Sequence, residues 1–371
     1  MGHRCEQVGP ELVDVPIEEI EAYYRGQTPP EAIRMFLAIM TGSRMESGDG
    51  WFGPCQSRYG WEWLAARHHQ SPDQPLEQAK FIGPVEFFER LDRNRDGHID
   101  RGDLDWSDRN PWVQHAYLVN RLFRRLNTTG DGRLTREQWL AFFDAAAGGP
   151  GYLTSNSLRD AWLSGMHSSF LPGDAPSRET LLAGFFAGEL GSMQEGPAVE
   201  ELAPDFELET FDGRRKVQLS SLRGDRPVVL CFGNFTCGPF RSMYPGVEEN
   251  QARWGHLAHF LAIYVREAHP TGGWAMRSNE MVGISEQQPS TYAERIEVAG
   301  RCHARLNPTI PLLVDAIDDR VGHAYSAMPT RLYIIDRAGR VAYKGGRGPY
   351  GFKTGEMEQA LLMTLLDETS P

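Results

Sequence analysis

The sequence predicts two kinds of architecture in one chain: an α-helical half, then an α/β half with a mixed sheet flanked by helices. Three observations carry this. Residues 30–190 hold several short segments with apolar side chains at helical spacing. From about residue 202, short runs rich in β-branched residues alternate with helical segments, as in an α/β sheet. The last two such runs, within 331–346, are joined around Asp336 and Gly339, which adds an antiparallel pair to the sheet. A chain of 371 residues is long enough to bury two full cores.

In the first half the run 112–126 sets Val119, Leu122, Phe123 and Leu126 on one helical stripe. Similar helices are predicted over 60–69, 84–91, 136–146, 157–166 and 178–186. TREQWLAFF at 135–143 and SRETLLAGFF at 177–186 repeat about 42 residues apart, which points to stacked helix–loop–helix units. The acidic stretch after residue 190 contains Pro197 and Pro204, and 191–201 reads as a linker to a second domain over 202–368. In that domain Asp212-Gly213 signals a hairpin. VVLCFGNF (228–235), HFLAIYVREA (259–268) and PLLVD (311–315) read as buried parallel strands, and RLYIIDRAGRVAYKGG (331–346) as two strands. Helices are predicted near 239–254, 290–305 and 355–368.

The net charge of -12 argues against nucleic acid and anionic membrane as partners. No apolar run approaches ~18 residues, and the first residues lack a secretory core, so a cytoplasmic protein is expected. Five cysteines (Cys5, Cys55, Cys231, Cys237 and Cys302) are too few and too scattered for a disulfide scaffold, and no pair has zinc spacing.

The segment LDRNRDGHIDRGDLDW carries a metal-ligand pattern. Asp92, Asn94, Asp96, Asp100 and Asp103 fall at loop positions 1, 3, 5, 9 and 12. The His98 carbonyl takes position 7, Gly97 permits the turn at 6, and Ile99 sits at 8. Apolar helices are expected before the loop (84–91) and after it (106–112). Position 12 is Asp103 rather than the usual Glu, whose longer reach gives bidentate ligation, so weaker or less selective calcium binding is expected. A second loop, 127–138, keeps Asp131, Gly132 and Leu134 but has Asn127, Thr129 and Gln138 at ligand positions. A third, 69–80, has Lys80 at position 12, which would repel a cation. A fourth, shortened loop precedes residue 177. The 30–190 segment therefore resembles a tandem EF-hand array with one competent loop. Ca2+ is the implied ion, and no organic cofactor is implied.

Redox chemistry is suggested by FGNFTCGPF at 232–240. It places Cys237 at a strand-to-helix turn, with Pro239 in the first helical turn. Unpaired N–H groups at a helix N-terminus favour thiolate, so a lowered thiol pKa is expected. The next strand ends at Glu267, Ala268 and His269, on the edge where open α/β sheets bind ligands. An imidazole there could take or give a proton, and Glu267 could orient it. Met328-Pro329, just before a strand, is a candidate cis peptide beside the thiol.

Together these features resemble the thioredoxin superfamily, and within it the iodothyronine deiodinases. That branch has FG-x-x-T, selenocysteine, then Pro and Phe; this chain reads FGNFTCGPF, with Cys237 at the selenocysteine position. IYVREAHPTGGW, RLYIID and KGGRGPYGF match the family's later segments, so the resemblance spans about 202–368. It implies a thiol-dependent oxidoreductase in which Cys237 attacks the substrate. Thr236 and Asn234 line the site, His269 with Glu267 supports proton transfer, and Pro329 faces the thiol. The substrate would be a small halogenated aromatic, peroxide or disulfide, and an external thiol or thioredoxin-like donor, or Cys302, would regenerate the enzyme. No nucleic-acid or membrane partner is implied, and a homodimer is left open. Asn234-Phe235 stands where the family usually has Ser-Cys, and a histidine expected after the GW pair is replaced within EQQPSTY. These departures point away from iodothyronine itself. Two alternatives stay open: a calcium-responsive interaction protein with an inactive redoxin domain, and a thiol peroxidase. Cys231 reads as core, Trp274 as packing, and Arg347 as a structural turn residue that could also meet an anionic substrate.

Overall fold

The computed structural model describes residues 9–42, 55–149, 151–163, 173–191 and 193–369. Cys5, the end of the 157–166 segment and part of the shortened fourth loop lie outside them. The first half contains α1 (Ile17–Tyr23), α2 (Glu31–Met40), β1 (Gln56–Ser57), α3 (Trp61–Arg67), β2 (Leu76–Glu77), α4 (Val85–Leu91), β3 (His98–Ile99), α5 (Pro111–Leu126), α6 (Arg136–Ala147), α7 (Ser155–Leu163) and α8 (Arg178–Phe186). Local chemistry sets the boundaries. Asn110 caps α5, accepting from the Trp112 N–H at 2.9 Å, and Pro111 takes the first helical position, where no N–H is needed. Thr135 and Gln138 form a reciprocal capping box on α6.

The second half contains β4 (Glu207–Thr210), β5 (Lys216–Gln218), β6 (Val228–Gly233), α9 (Gly238–Trp254), β7 (His259–Tyr264), α10 (Arg277–Met281), α11 (Tyr292–Leu306), β8 (Leu312–Val314), α12 (Arg320–Ala324), β9 (Arg331–Ile335), β10 (Val341–Lys344) and α13 (Thr354–Glu368). The main sheet runs β1-β10-β9-β6-β7-β8-β4-β5. β6, β7 and β8 are mutually parallel, whereas β9 is antiparallel to β6 and β10 to β9. Every residue of β6 is buried, as a central strand covered on both faces requires. The predicted strands and helices of this half are all present, and the sheet is mixed with helices on its faces.

The two halves share a core. Trp61, Leu64, Phe87, Phe88, Leu91 and Ile99 pack in one cluster with the residues of the sheet. Each such Leu or Phe contributes roughly 1.5–3 kcal/mol by leaving water. β1 extends the sheet beside β10, with Gln56 opposite Lys344. A second cluster joins Ile33, Phe36, Leu181, Phe185 and Leu190 to Trp274. The 191–201 stretch, expected as a linker, runs along β10: the Glu200 N–H donates to the Val341 carbonyl, and the Val341 N–H to the Glu201 carbonyl, both at 2.9 Å. Among the described residues no helix is long and apolar enough to cross a membrane.

Two local expectations are corrected. Residues 106–110 are not helical; Asp105 and Asn110 hydrogen-bond across that turn, and the helix begins only at Pro111. On α5, Leu122 and Leu126 are buried but Val119 is 60% exposed. The helix has therefore turned its polar face, not the Val119 edge, toward the second half.

Candidate active site

Cys237 is the residue immediately before α9, delivered by the turn that follows β6. β6 ends at Gly233, where only glycine fits, because a Cβ there would lie 2.2 Å from the Phe240 ring. Phe240 is buried over the strand and packs on Tyr244 and Phe352. The position where a dithiol site would carry its second sulfur is thus a core aromatic.

The turn is held by a buried polar network. Asn234 Oδ1 accepts from the N–H groups of Cys237 (3.0 Å) and Ala268 (3.2 Å), while its Nδ2 donates to the Pro329 carbonyl (3.0 Å). Glu267 Oε2 accepts from the Thr236 N–H (2.8 Å) and hydroxyl (2.7 Å), and Oε1 accepts from the Tyr264 hydroxyl. Thr236 Oγ1 accepts in turn from the His269 N–H at 3.0 Å. Asn234 and Thr236, expected to line the site, are 0% and 1% exposed and lie behind it as positioning residues. Burial pushes the Glu267 carboxyl up, against the hydrogen bonds from Tyr264 and Thr236. Glu267 does not orient the imidazole, as had been expected, because its oxygens are committed to Thr236 and Tyr264.

His269 is oriented instead by the chain just beyond it. Its Nδ1 lies 3.1 Å from the Trp274 carbonyl, which fixes Nδ1 as the protonated nitrogen, and the Trp274 ring stands edge-on at 4.6 Å. Desolvation pushes the His269 pKa down to about 4, with Arg241 and Arg124 adding repulsion, so the ring is neutral near pH 7.

Cys237 and His269 open onto one pocket of about 870 Å³ of empty volume, its open mouth included. Its walls include Pro239 and Met243 of α9, Trp274, Pro329, Pro349 and Tyr350. Met328-Pro329 is cis, as the sequence suggested. The remaining wall comes from the first half: Tyr117, Asn120, Arg121 and Arg124 of α5. The thiol itself departs from expectation. Burial pushes Cys237 up to about 11, outweighing the Phe240 N–H and the Arg241 and Arg124 charges, which pull the other way. A helix N-terminus lowers a thiol pKa only where the thiolate keeps enough solvation, and Cys237 is 2% exposed.

Two residues that sequence reasoning missed complete the support. Arg241 Nε donates to the Gly130 carbonyl at 3.1 Å, Nη1 to the Phe235 carbonyl, and Nη2 to Asn279 Oδ1 at 2.8 Å. Asn279 Nδ2 then donates to the Thr236 carbonyl at 2.7 Å. A buried arginine in the first turn after the cysteine was the available signal.

The calcium-type loops behave differently from one another. Leu76 pairs with Ile99, so loops 69–80 and 92–103 are joined at the eighth position of each. Within 92–103, Asp92 accepts from the Gly97 N–H (2.9 Å) and Asp96 from the His98 N–H (3.0 Å). Asp103 accepts from Arg93, Asn94 and Asp100 N–H groups, and Asp100 accepts from Gly102. Burial, with Asp100 and Asp92 nearby, raises the Asp103 pKa. Among the described residues no three His, Cys, Asp or Glu side chains stand together as a metal-holding group. The carboxylates serve the loop's own N–H groups in this conformation. In 127–138 the Asn127 amide donates to Thr129 Oγ1 (3.0 Å), Asp131 Oδ1 (2.9 Å) and the Arg133 carbonyl (2.7 Å). Those are loop positions 3, 5 and 7, so an NH2 group occupies the place a cation takes in a calcium loop. This loop docks on the second half through Gly130 to Arg241 and through Arg133 Nη1 to the Leu306 carbonyl at 2.7 Å.

Cys302 is buried on α11, does not line the pocket, and is pushed up strongly by burial. Cys231 is core, as read. Arg347 is committed to Glu31 at 2.6 Å and to the Met328 carbonyl at 3.0 Å, so it is a structural residue behind the Pro329 wall.

The parallel β6–β7–β8 unit with antiparallel β9 and β10, helices on its faces, a cysteine before α9 and a cis proline before β9 define a thioredoxin-like α/β domain. Residues 185–364 match the family model described as iodothyronine deiodinase. The chain is 35% identical over 156 residues to thyroxine 5-deiodinase of Gallus gallus, covering 42% of this chain and 58% of that protein. It is 27% identical over 215 residues to type II iodothyronine deiodinase of Sus scrofa, covering 56% and 76% respectively. A solved structure of a putative thiol:disulfide interchange protein DsbE from Chlorobium tepidum aligns at a TM-score of 0.34 and 21% identity, over 46% of this chain and 99% of that one. The chain spans 58% of the length of the thyroxine 5-deiodinases it matches from Gallus gallus and Sparus aurata.

Proposed function

We propose that this protein is a thiol-dependent, deiodinase-like oxidoreductase that removes halogen reductively from a small aromatic substrate. One observation supports this most: the single thiol of Cys237 and the oriented, neutral imidazole of His269 line the same pocket, with Pro329 in its wall. With Nδ1 held by Trp274, His269 Nε2 is the nitrogen that accepts the thiol proton as Cys237 attacks. Sulfur takes the halogen, the carbon–halogen bond breaks, and the electron pair stays on carbon. His269 returns the proton to that carbon. The balance is ArX + Cys–SH → ArH + Cys–S–X. An external thiol then displaces halide to give a mixed disulfide, and a second thiol releases Cys237 and leaves as disulfide. The external donor, a small thiol or thioredoxin-like protein, is favoured because Cys302 does not line the pocket.

The test is turnover of halogenated phenols, hydrogen peroxide and a disulfide by wild type and Cys237→Ser. Halide release lost in Cys237→Ser is the expected result. Peroxide consumption alone would make the protein a thiol peroxidase. Activity retained by Cys237→Ser on all three substrates would remove the site. Calcium at loop 92–103 belongs to the proposal as a separate part: the six residues Asp92, Asn94, Asp96, His98, Asp100 and Asp103 match the ligand spacing. Calorimetric titration of calcium into wild type and Asp92→Ala tests it; heat in neither removes calcium from the reading.

A further inference from the structure

Arg241 is a buried cation whose hydrogen-bond acceptors are all neutral. It lies on α9, in the first turn after Cys237, and is 4% exposed. The Gly130 carbonyl, the Phe235 carbonyl and the Asn279 amide oxygen satisfy its N–H groups without neutralising its charge. A charge held this way is costly unless a counter-charge forms near it. Burial lowers the Arg241 pKa to about 10, while ionised Cys237 pulls the other way first, ahead of Cys302 and Glu267; Arg305 adds repulsion. Burial keeps the Cys302 thiol neutral, and the Glu267 oxygens are committed to Thr236 and Tyr264. The guanidinium is close to the thiol's own turn: Nη2 lies 3.8 Å from where a Cβ on Gly238, the next residue, would stand. The other charges facing Cys237 are weaker candidates for this role. Arg124 of α5 is partly exposed and lies in the field of the buried Asp174 carboxylate. Glu267 opposes ionisation of the thiol, His269 is neutral, and Arg121 and Glu189 line the same pocket with opposite signs.

What orients Arg241 comes from the helical half. Gly130 belongs to loop 127–138, which precedes the deiodinase-matched segment. That loop is clamped onto the α/β half from both sides. Arg305 Nη1 donates to the Thr129 carbonyl at 2.5 Å, and Arg133 Nη1 to the Leu306 carbonyl at 2.7 Å. Gly132 has a φ of +77°, and a Cβ there would lie 2.2 Å from the Arg241 carbonyl, so the two backbones meet only through glycine. The Asn127 amide fixes the loop from its centre through Thr129, Asp131 and Arg133. We propose that Arg241 is a positioning residue for the ionised form of Cys237, and that loop 127–138 holds it in place, so that the helical half helps to set the reactivity of the thiol. Arg241 is then a fixed cation aimed at a charge that develops only when the thiol loses its proton. This rests on the proposed reading of Cys237 as the reacting sulfur, but it concerns the thiol's ionisation, which is measured without turnover.

The experiment alkylates the full chain with iodoacetamide, an uncharged reagent, between pH 7 and 10, and follows the Cys237 peptide by mass spectrometry. A neighbouring opposite charge shifts a pKa by about 1–3 units, so Arg241→Gln should slow alkylation of Cys237 by roughly 10-fold or more at each pH. Arg241→Lys, which keeps the charge, should restore most of the rate at pH 7. A purely structural role predicts the reverse of the first result, because a loosened turn exposes the thiol and speeds its alkylation. Faster or unchanged alkylation of Arg241→Gln, or Arg241→Lys as slow as Arg241→Gln, would overturn the proposal. Arg241→Met, which keeps the packing of the stem, serves the same comparison should Arg241→Gln not fold. Asn127→Ala should change the rate in the wild-type background and leave it unchanged in Arg241→Gln. The same factor in both backgrounds, or no change in either, would overturn the part given to the loop. Slowed alkylation of Arg241→Gln in a protein whose wild type releases no halide would fault the chemistry of Cys237 instead. Normal halide release with alkylation indifferent to Arg241→Gln would fault only the role of Arg241.

Discussion

Glu31 is the residue whose removal should most clearly separate the helical half from the active site. Its carboxylate is 7% exposed and receives two fully buried guanidiniums, Arg331 Nη2 at 2.9 and 3.0 Å and Arg347 Nη2 at 2.6 Å. Burial opposes its charge, but Arg331 and Arg347 outweigh that and hold the carboxyl at about 2 against an ordinary 4.5. A difference of about 2.5 units at 1.36 kcal/mol each gives about 3 kcal/mol. That agrees with the 3–5 kcal/mol lost when one partner of a buried pair is removed. Because the folded pKa is depressed, the contribution is complete above about pH 4.5 and is lost as the pH falls through 2. Urea unfolding of wild type and Glu31→Gln at pH 7 should show a stability difference of about 3 kcal/mol, narrowing below pH 4. Arg347 also holds the Met328 carbonyl, so the Pro329 wall should loosen and activity should fall. A difference below about 1 kcal/mol at pH 7 would refute the reasoning, since it would mean the two arginines find other acceptors.

Three further outcomes follow from the site. Asn234→Ala strands the Cys237 and Ala268 N–H groups and the Pro329 carbonyl together, and should cost roughly 2–4 kcal/mol by urea unfolding and most of the activity; a loss under 1 kcal/mol would mean the three loops are held independently. Alkylation of Cys237 by iodoacetamide should be slow at pH 7 and rise toward pH 11, while His269, depressed to about 4, should contribute stability that is present above pH 6.5 and lost as the pH falls through 4; a thiol that alkylates fast at pH 6 would show that the helix N-terminus wins over burial. Asn127→Asp removes the NH2 group that bridges Thr129, Asp131 and Arg133, and should lower the melting temperature in chelator and recover it in millimolar calcium; a variant indifferent to calcium would deny that the loop keeps a cation-sized centre.

Much of the site was legible because its chemistry is local in sequence. FGNFTCGPF contains the strand end, the turn and the helix start that place Cys237, and the end of the next strand places His269. The charge state was not legible: helix position argues for a thiolate, whereas Cys237 is 2% exposed in a pocket whose walls include α5 and Pro349–Tyr350, far away in sequence. Adjacency suggests Glu267 as the orienter of His269, but Glu267 lies in the turn beyond β7, where its carboxylate accepts from Thr236 and Tyr264, and the Trp274 carbonyl fixes the ring. On α5 the sequence showed the apolar stripe, while the polar stripe Tyr117, Asn120, Arg121 and Arg124 has the same spacing and faces the pocket. Periodicity gives the helix but not which face meets which neighbour.

The central claim is that Cys237 is the sulfur that receives the halogen or its equivalent. The most direct measurement is a single turnover without reductant: wild-type protein is mixed with an iodinated phenol, quenched with a labelled thiol, and mapped by peptide mass spectrometry. One equivalent of label on the Cys237 peptide, matched by one equivalent of iodide and absent from Cys237→Ser, is the expected result. Label on Cys55, Cys231 or Cys302 instead, or iodide release with Cys237 unlabelled, would contradict it.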